Sequence, residues 1–136
     1  MLLAKDIMTT QVICINKDTP IFDAIDLMVT NGITGIPIVT DNSMLVGILS
    51  EQDVLRLLNT YEDEKNKPVS EFMTQPAVHF EEDEPIIDIC NCMKDNSIRR
   101  VPVTRNDKVV GLISRSDILK QIRILCKINS ALASKN

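Results

Sequence analysis

Two serine–aspartate pairs offer the most explicit chemistry in the chain. Gly47-Ile48-Leu49-Ser50-Glu51-Gln52-Asp53 and Gly111-Leu112-Ile113-Ser114-Arg115-Ser116-Asp117 share the pattern Gly-apolar-apolar-Ser-x-x-Asp. It describes a strand ending in glycine that runs straight into a helix opened by serine. Such a junction leaves backbone N–H groups unpaired at the positive end of a helix, which favours an anion, and glycine lets a ligand approach the backbone. Ser50 and Ser114 are hydroxyl donors suited to a phosphate. Asp53 and Asp117, in the first helical turn, are acceptors suited to a ribose diol. The same spacing also fits a helix capping box, in which serine and acid satisfy backbone donors reciprocally.

A second element is Arg99-Arg100, just before Val101-Pro102-Val103. Arginine suits bidentate contact with phosphate, although two solvated charges would have the same sequence. The matching positions of the first copy are Thr34-Gly35, which carry no charge. The two sites are therefore chemically unequal, and the Asp117 site is the better equipped for an anion. The one histidine, His79, has no cysteine or serine partner at a recognisable spacing and reads as a strand-edge residue. The cysteines Cys14, Cys90, Cys92 and Cys126 form no CxxC spacing, consistent with a reduced, cytoplasmic setting. No nucleophile with an adjacent base is assembled by any motif, which points away from an enzyme.

The elements that position these residues come as a repeat. Met8-Thr9 returns as Met73-Thr74, and Asp18-Thr19-Pro20-Ile21 as Asp83-Glu84-Pro85-Ile86, each 65 positions on. The Gly-x-x-Ser-x-x-Asp run returns 64 positions on, after a one-residue deletion. Two copies fill most of the 136 residues. Each half has roughly 60 residues, marginal for independent stability, so the halves are expected to share apolar surface. The expected division is repeat one over 1–60, a linker over 61–69, repeat two over 70–129 and a tail over 130–136.

Within repeat one, Val12 to Ile15 reads as extended. Thr19 can cap a helix with Pro20 at its first position. Ile21, Ala24, Ile25 and Met28 then mark one helical face. Gly32 suits a left-handed cap. Ile33–Val39 and Leu45–Leu49 read as a hairpin, and the helix opened by Ser50 carries Val54, Leu55 and Leu58 inward. Repeat two follows the same plan, with Ile86, Ile89, Cys90 and Met93 inward. Tyr61 to Lys67 is charged and reads as solvated linker. The last helix extends an apolar stripe through Ile118, Ile122, Leu125 and Leu132, with Leu119, Cys126 and Ile128 alongside. That extension suits either a longer core helix or a dimer or partner contact.

The net charge of −4 argues against nucleic acid as the main partner. No apolar run is long enough for a membrane span, and the start lacks the pattern of a signal peptide.

The repeat starts Asp6-Ile7-Met8-Thr9 and Glu71-Phe72-Met73-Thr74, the runs Ile36-Pro37-Ile38-Val39 and Val101-Pro102-Val103, and the doubled Gly-x-x-Ser-x-x-Asp together resemble a tandem pair of CBS domains, a Bateman module. The resemblance covers about residues 4 to 126. It implies a mixed α/β (α+β) fold of two pseudo-twofold-related β-α-β-β-α repeats, with sheets packed face to face and two clefts between the copies. It also implies an adenosine ligand (AMP, ADP, ATP or S-adenosylmethionine), with no catalytic cofactor and no metal. The ribose-binding acid of the family falls on Asp53 and Asp117, its hydroxyl on Ser50 and Ser114. Its phosphate-facing base falls on Arg99 and Arg100, with Ser116 nearby.

By the same resemblance, the stronger cleft gathers Asp117, Ser114, Ser116, Arg99 and Arg100 with Ile13, Cys14, Ile33, Thr34 and Gly35. The weaker gathers Asp53 and Ser50 with Val78, His79, Ile98 and Arg99. A homodimer and an unidentified effector protein are further expectations. The function expected is a ligand-sensing regulatory module. The competing reading is a dimerisation or interaction scaffold, in which the serine–aspartate pairs act only as caps.

Overall fold

The computed structural model describes residues 1–134. Repeat one holds α1 (Ala4–Ile7), β1 (Ile15–Asn16), α2 (Ile21–Asn31), β2 (Gly35–Val39), β3 (Leu45–Ser50) and α3 (Glu51–Val54), followed by α4 (Leu57–Glu64). A 3-10 turn at Val69–Glu71 leads into β4 (Phe80–Glu81), α5 (Ile86–Asn96), β5 (Arg100–Arg105), β6 (Lys108–Ser114) and α6 (Arg115–Ser134). Each repeat forms one three-stranded sheet, β1-β2-β3 and β4-β5-β6. In each, the first pair is parallel and the second antiparallel. Even the irregularities repeat: the hairpin register shifts at Ile38/Val39 and again at Val103/Thr104.

The repeats share apolar surface by exchanging their leading segments. The first core is built on Ile21, Ala24, Met28, Ile36, Ile38 and Leu49, and it also takes Val69 and Phe72 from the lead of repeat two. The second core is built on Ile89, Met93, Val101, Val103 and Ile113, and it takes Ala4 from α1, with Ile7 and Met8 packed alongside. Thr9 exchanges two 2.9 Å backbone bonds with Leu112 of β6. Thr74 does the same with Ile48 of β3, at 2.9 and 3.0 Å. The hairpin tips also meet, through Leu45 N–H to the Asp107 carbonyl and Val109 N–H to the Ser43 carbonyl.

Several local expectations are corrected by this arrangement. Thr19 does not cap α2; Pro20 is its N-cap and makes no side-chain bond. The first helical N–H groups instead donate to the chain after α4: Ile21 to the Lys67 carbonyl at 2.7 Å and Phe22 to that of Lys65 at 3.0 Å. The charged run expected as linker is thus helical to Glu64, and its carbonyls then close the end of α2. The helix opened by Ser50 ends at Val54 and restarts at Leu57. Leu55 and Leu58 face solvent, and Leu57 enters the core. Cys90 is only half-buried. The tail expected over 130–136 is helical through Ser134, and its last two residues lie outside the described part. Among the described residues no helix is long and apolar enough to cross a membrane.

The expected left-handed cap is present at Gly32, with φ +61°. Its counterpart Ser97 adopts nearly the same conformation, φ +54°.

Candidate functional site

Two clefts lie between the repeats, related by the same offsets as the sequence. One, of about 280 Å³, is lined from repeat two by Leu112, Ser114, Ser116, Asp117 and Lys120. From repeat one it takes Thr9, Gln11, Val12, Ile13, Ile33, Gly35 and Pro37. The other, of about 720 Å³, is lined from repeat one by Thr34, Ile48, Ser50, Glu51, Gln52 and Leu55, and from repeat two by Ser97, Ile98, Arg99 and Arg100. Ile48, Ser50, Ile98 and Arg100 are the repeat counterparts of Leu112, Ser114, Ile33 and Gly35. Each cleft therefore joins the helix opening of one repeat to the strand entry of the other.

Both serine–aspartate pairs close as capping boxes. Asp53 Oδ2 accepts from Ser50 N–H at 2.8 Å and Ser50 Oγ at 3.1 Å. Asp117 Oδ2 accepts from Ser114 N–H at 2.8 Å and Ser114 Oγ at 3.0 Å. The other carboxylate oxygens differ. Asp53 Oδ1 accepts from Thr74 Oγ at 3.1 Å, and Asp53 does not line its cleft. Asp117 lines its cleft, and among the described residues no side chain or backbone donor reaches its Oδ1. The carboxylate with an acceptor to spare is therefore that of Asp117.

The basic residues divide differently from expectation. Arg100 and Thr34, grouped above with Asp117, line the Ser50 cleft, alongside Ile98 and Arg99, which were expected there. The reason is the crossing of the repeats: the start of β5 belongs to repeat two but borders the helix opening of repeat one. Arg99 lies 3.9 Å from Glu51, and Arg100 Nη2 donates to Thr34 Oγ. Burial, and then the Arg99 charge beside it, lower the pKa of Arg100 from the ordinary guanidinium value. Ile13, Ile33, Gly35, Ser114 and Ser116 do meet around Asp117. Cys14 is half-buried and does not line that cleft; burial pushes its thiol pKa up. Val78 and His79 do not line the Ser50 cleft, and His79 Nδ1 lies 2.9 Å from the Ala77 carbonyl oxygen.

The sequence reading missed Lys120, Thr9, Gln11 and Pro37 on one side and Ser97, Glu51 and Gln52 on the other. A signal for Lys120 was present: it sits three residues after Asp117, and its counterpart Arg56 is also basic. Arg56 instead lies over the Phe72 ring, 4.4 Å from its centroid, with Glu64 at 3.4 Å. Among the described residues no cluster of metal-ligating side chains is present.

The folded repeats and their two clefts define a paired, pseudo-symmetric module. The CBS domain model matches residues 4–60 and 69–124, and the chain belongs to the CBS domain family. It is 31% identical to the protein MJ1225 of Methanocaldococcus jannaschii over 85% of this chain and 41% of that protein. The chain spans less than half the length of the curated relatives it matches first. Among solved structures it is similar to Arabidopsis thaliana CBSX2 in complex with AMP, at TM-score 0.83 and 25% identity over 92% of this chain and 98% of that one. It is also similar to the CBS domain pair of MJ0100 in complex with 5'-methylthioadenosine and S-adenosyl-L-methionine, at TM-score 0.77 and 28% identity over 90% and 96%.

Proposed function

We propose that the chain is a non-catalytic regulatory module that binds an adenosine compound between its repeats and signals through their relative arrangement. The observation that carries this reading is the two-sided Asp117 cleft. Its polar wall of Ser114, Ser116, Asp117 and Lys120 comes from one repeat, and its apolar wall of Ile13, Ile33 and Pro37 from the other. A nucleoside placed there touches both halves, with its ribose diol at the open Asp117 oxygen and its base against the apolar wall. The complexes of CBSX2 with AMP and of MJ0100 with S-adenosyl-L-methionine support the ligand class. A ligand shifts the arrangement only by its differential affinity for the two states. The output passes to an effector protein or to a homodimer formed through the exposed Leu119, Ile122, Leu125 and Ile128 of α6.

The scaffold reading is favoured by one observation, that both serine–aspartate pairs make the hydrogen bonds of a helix cap. A thermal unfolding series with AMP, ADP, ATP, S-adenosylmethionine and NAD separates the two. A ligand at about 100 times its Kd stabilises by about 2.7 kcal/mol, a shift of several degrees. The sensor reading expects such a shift for one adenosine compound and its loss in Asp117→Ala. Flat curves at millimolar ligand, with Asp117→Ala costing only the usual ~1 kcal/mol of a lost cap, would establish the scaffold. Sedimentation of the same samples reports whether ligand changes the dimer fraction.

A further inference from the structure

The positive charge of the Asp117 cleft continues beyond its rim. Lys120 lines the cleft. Arg123 and Lys127 follow it on α6 at steps of three and then four residues, the spacing that keeps side chains on one helical face. From Lys120 to Lys127 the helix rises about 10 Å. Helical side chains lean toward the N-terminus of their own helix. Ser116 and Asp117, in the first turn of α6, line the same cleft, so this lean carries Arg123 and Lys127 back toward it.

The stripe is not neutralised by the chain itself. All three side chains are exposed, and among the described residues none pairs with a carboxylate. No Asp or Glu follows Asp117 in the sequence, and Asp117 is the one acid that lines the cleft. Repeat one is built otherwise. The counterparts there are Arg56, Asn59 and Asp63, and Arg56 is held by Glu64 and lies over the Phe72 ring. The same helical face is thus balanced in one repeat and openly basic in the other, on a chain whose net charge is −4.

We infer that Lys120, Arg123 and Lys127 hold the phosphate chain of the ligand in the Asp117 cleft, so that this cleft selects an adenosine polyphosphate over AMP or adenosine. The inference rests on the reading of that cleft as an adenosine site. With the ribose at Asp117, a single phosphate meets Lys120. A longer chain meets Arg123, whose fork suits two oxygens, and then Lys127. The cations are exposed, so each contact is modest, and added salt screens it. Adenosine has no charge for the stripe to read, and the cationic sulfonium of S-adenosylmethionine is disfavoured beside it.

Titration calorimetry with adenosine, AMP, ADP, ATP and inorganic triphosphate, in magnesium-free buffer, tests this. The proteins are the unaltered chain, Lys120→Gln, Arg123→Gln and Lys127→Gln singly and combined, and Lys108→Gln, a control at the opposite end of β6 from Ser114. Circular dichroism confirms that each variant is folded. Affinity should rise from adenosine to ATP by about threefold per phosphate, the worth of an exposed charge pair. Each single substitution should weaken ATP by about threefold and the combined variant by about tenfold or more. Lys127→Gln should act on ATP more than on AMP. Adenosine should be unchanged throughout, Lys108→Gln should match the unaltered protein, and added salt should compress the series. ATP bound no more tightly than adenosine, or ATP affinity unchanged in the combined variant, would overturn the stripe and leave the adenosine reading intact. Inorganic triphosphate bound as tightly as ATP and lost in the combined variant, with no binding of adenosine, would keep the stripe and remove the adenosine reading. No binding by any of the five would overturn both.

Discussion

At the scale of single residues, a shared motif does not give the two repeats equal chemistry. Asp53 and Asp117 were both legible as candidate ribose ligands. The Thr74 hydroxyl that occupies one and not the other comes from across the molecule and leaves no trace in local spacing. The same crossing carried Arg100 to the cleft opposite the one expected. The glycines that open the motif are explained by contact. A methyl group on Gly47 would lie 2.6 Å from Met73 Sδ and 2.9 Å from the Thr74 carbonyl oxygen, which is backbone and cannot move aside. Gly47→Ala is therefore expected to lower stability in urea unfolding by about 1–3 kcal/mol, the usual cost of overpacking. An effect below a few tenths would show that the repeat interface yields at this point. A second expectation concerns acid. Arg105 holds Glu82 through Nε to Oε1 at 2.7 Å and Nη2 to Oε2 at 2.9 Å. That hydrogen-bonded pairing lowers the Glu82 pKa from its ordinary 4.5. A carboxylate with a depressed folded pKa contributes stability above its unfolded value and loses it as pH falls through the folded value. Glu82→Gln should flatten the stability curve below about pH 4.5, and added salt should weaken the difference because Arg105 is exposed. An acid limb identical in the variant would assign acid sensitivity to other carboxylates.

At the scale of elements, helical periodicity was a sound guide where a helix is continuous. Ile21, Ala24 and Met28, and likewise Ile86, Ile89 and Met93, occupy one buried face each. It misled after Ser50, because α3 stops at Val54 and α4 starts again at Leu57. Leu57 lies three residues after Val54 and Leu58 three after Leu55, so the two pairs take opposite faces: Leu57 is 5% exposed, Leu58 84% and Leu55 69%. Nothing in Leu55-Arg56-Leu57-Leu58 announces the break, since no glycine or proline marks it. Paired truncations make the assignment quantitative. Leu57→Ala should cost about 2–4 kcal/mol, as for a buried leucine, and Leu58→Ala within about 0.5 kcal/mol. Equal costs in denaturant melts would mean that Leu58 shares the core with Leu57. The charged stretch after α4 was legible as exposed but not as structural. Its role lies in the carbonyls of Lys65 and Lys67, which receive the first N–H groups of α2, and a backbone role of this kind is invisible to side-chain composition.

At the scale of the molecule, the repeat and its family fold could be read from the doubled motif, whereas the exchange of leads could not. Met8-Thr9 and Met73-Thr74 were seen as repeat starts, yet each completes the core of the other repeat. Val69 and Phe72 belong to the first core and Ala4 to the second. An insertion of this kind couples the halves more tightly than a surface contact, because neither core is closed without chain from its neighbour. Removal of residues 1–8 should therefore act at a distance along the sequence. It takes Ala4 and Met8 from the core of repeat two, and with them the Ala4 N–H bond to the Glu84 carbonyl and the acceptor that Leu2 provides to Ile86. Hydrogen exchange is expected to rise in α5, β5 and β6, more than 70 residues away, before it rises in α2 or β2 next to the cut. The complementary change, Phe72→Ala, should loosen α2 and β3 first and cost about 3–5 kcal/mol if the core does not collapse around the gap. In the unaltered protein, probes of the two repeats should report one coincident unfolding transition. Two separate transitions, or loosening of repeat one by removal of residues 1–8, would show that the leads are peripheral. In that case the repeats would be joined mainly by the hairpin-tip bonds of Leu45 to Asp107 and Val109 to Ser43. If the leads do couple the repeats, the ligand proposed above would act on a pair already joined, and only small shifts of one repeat against the other would be open to it.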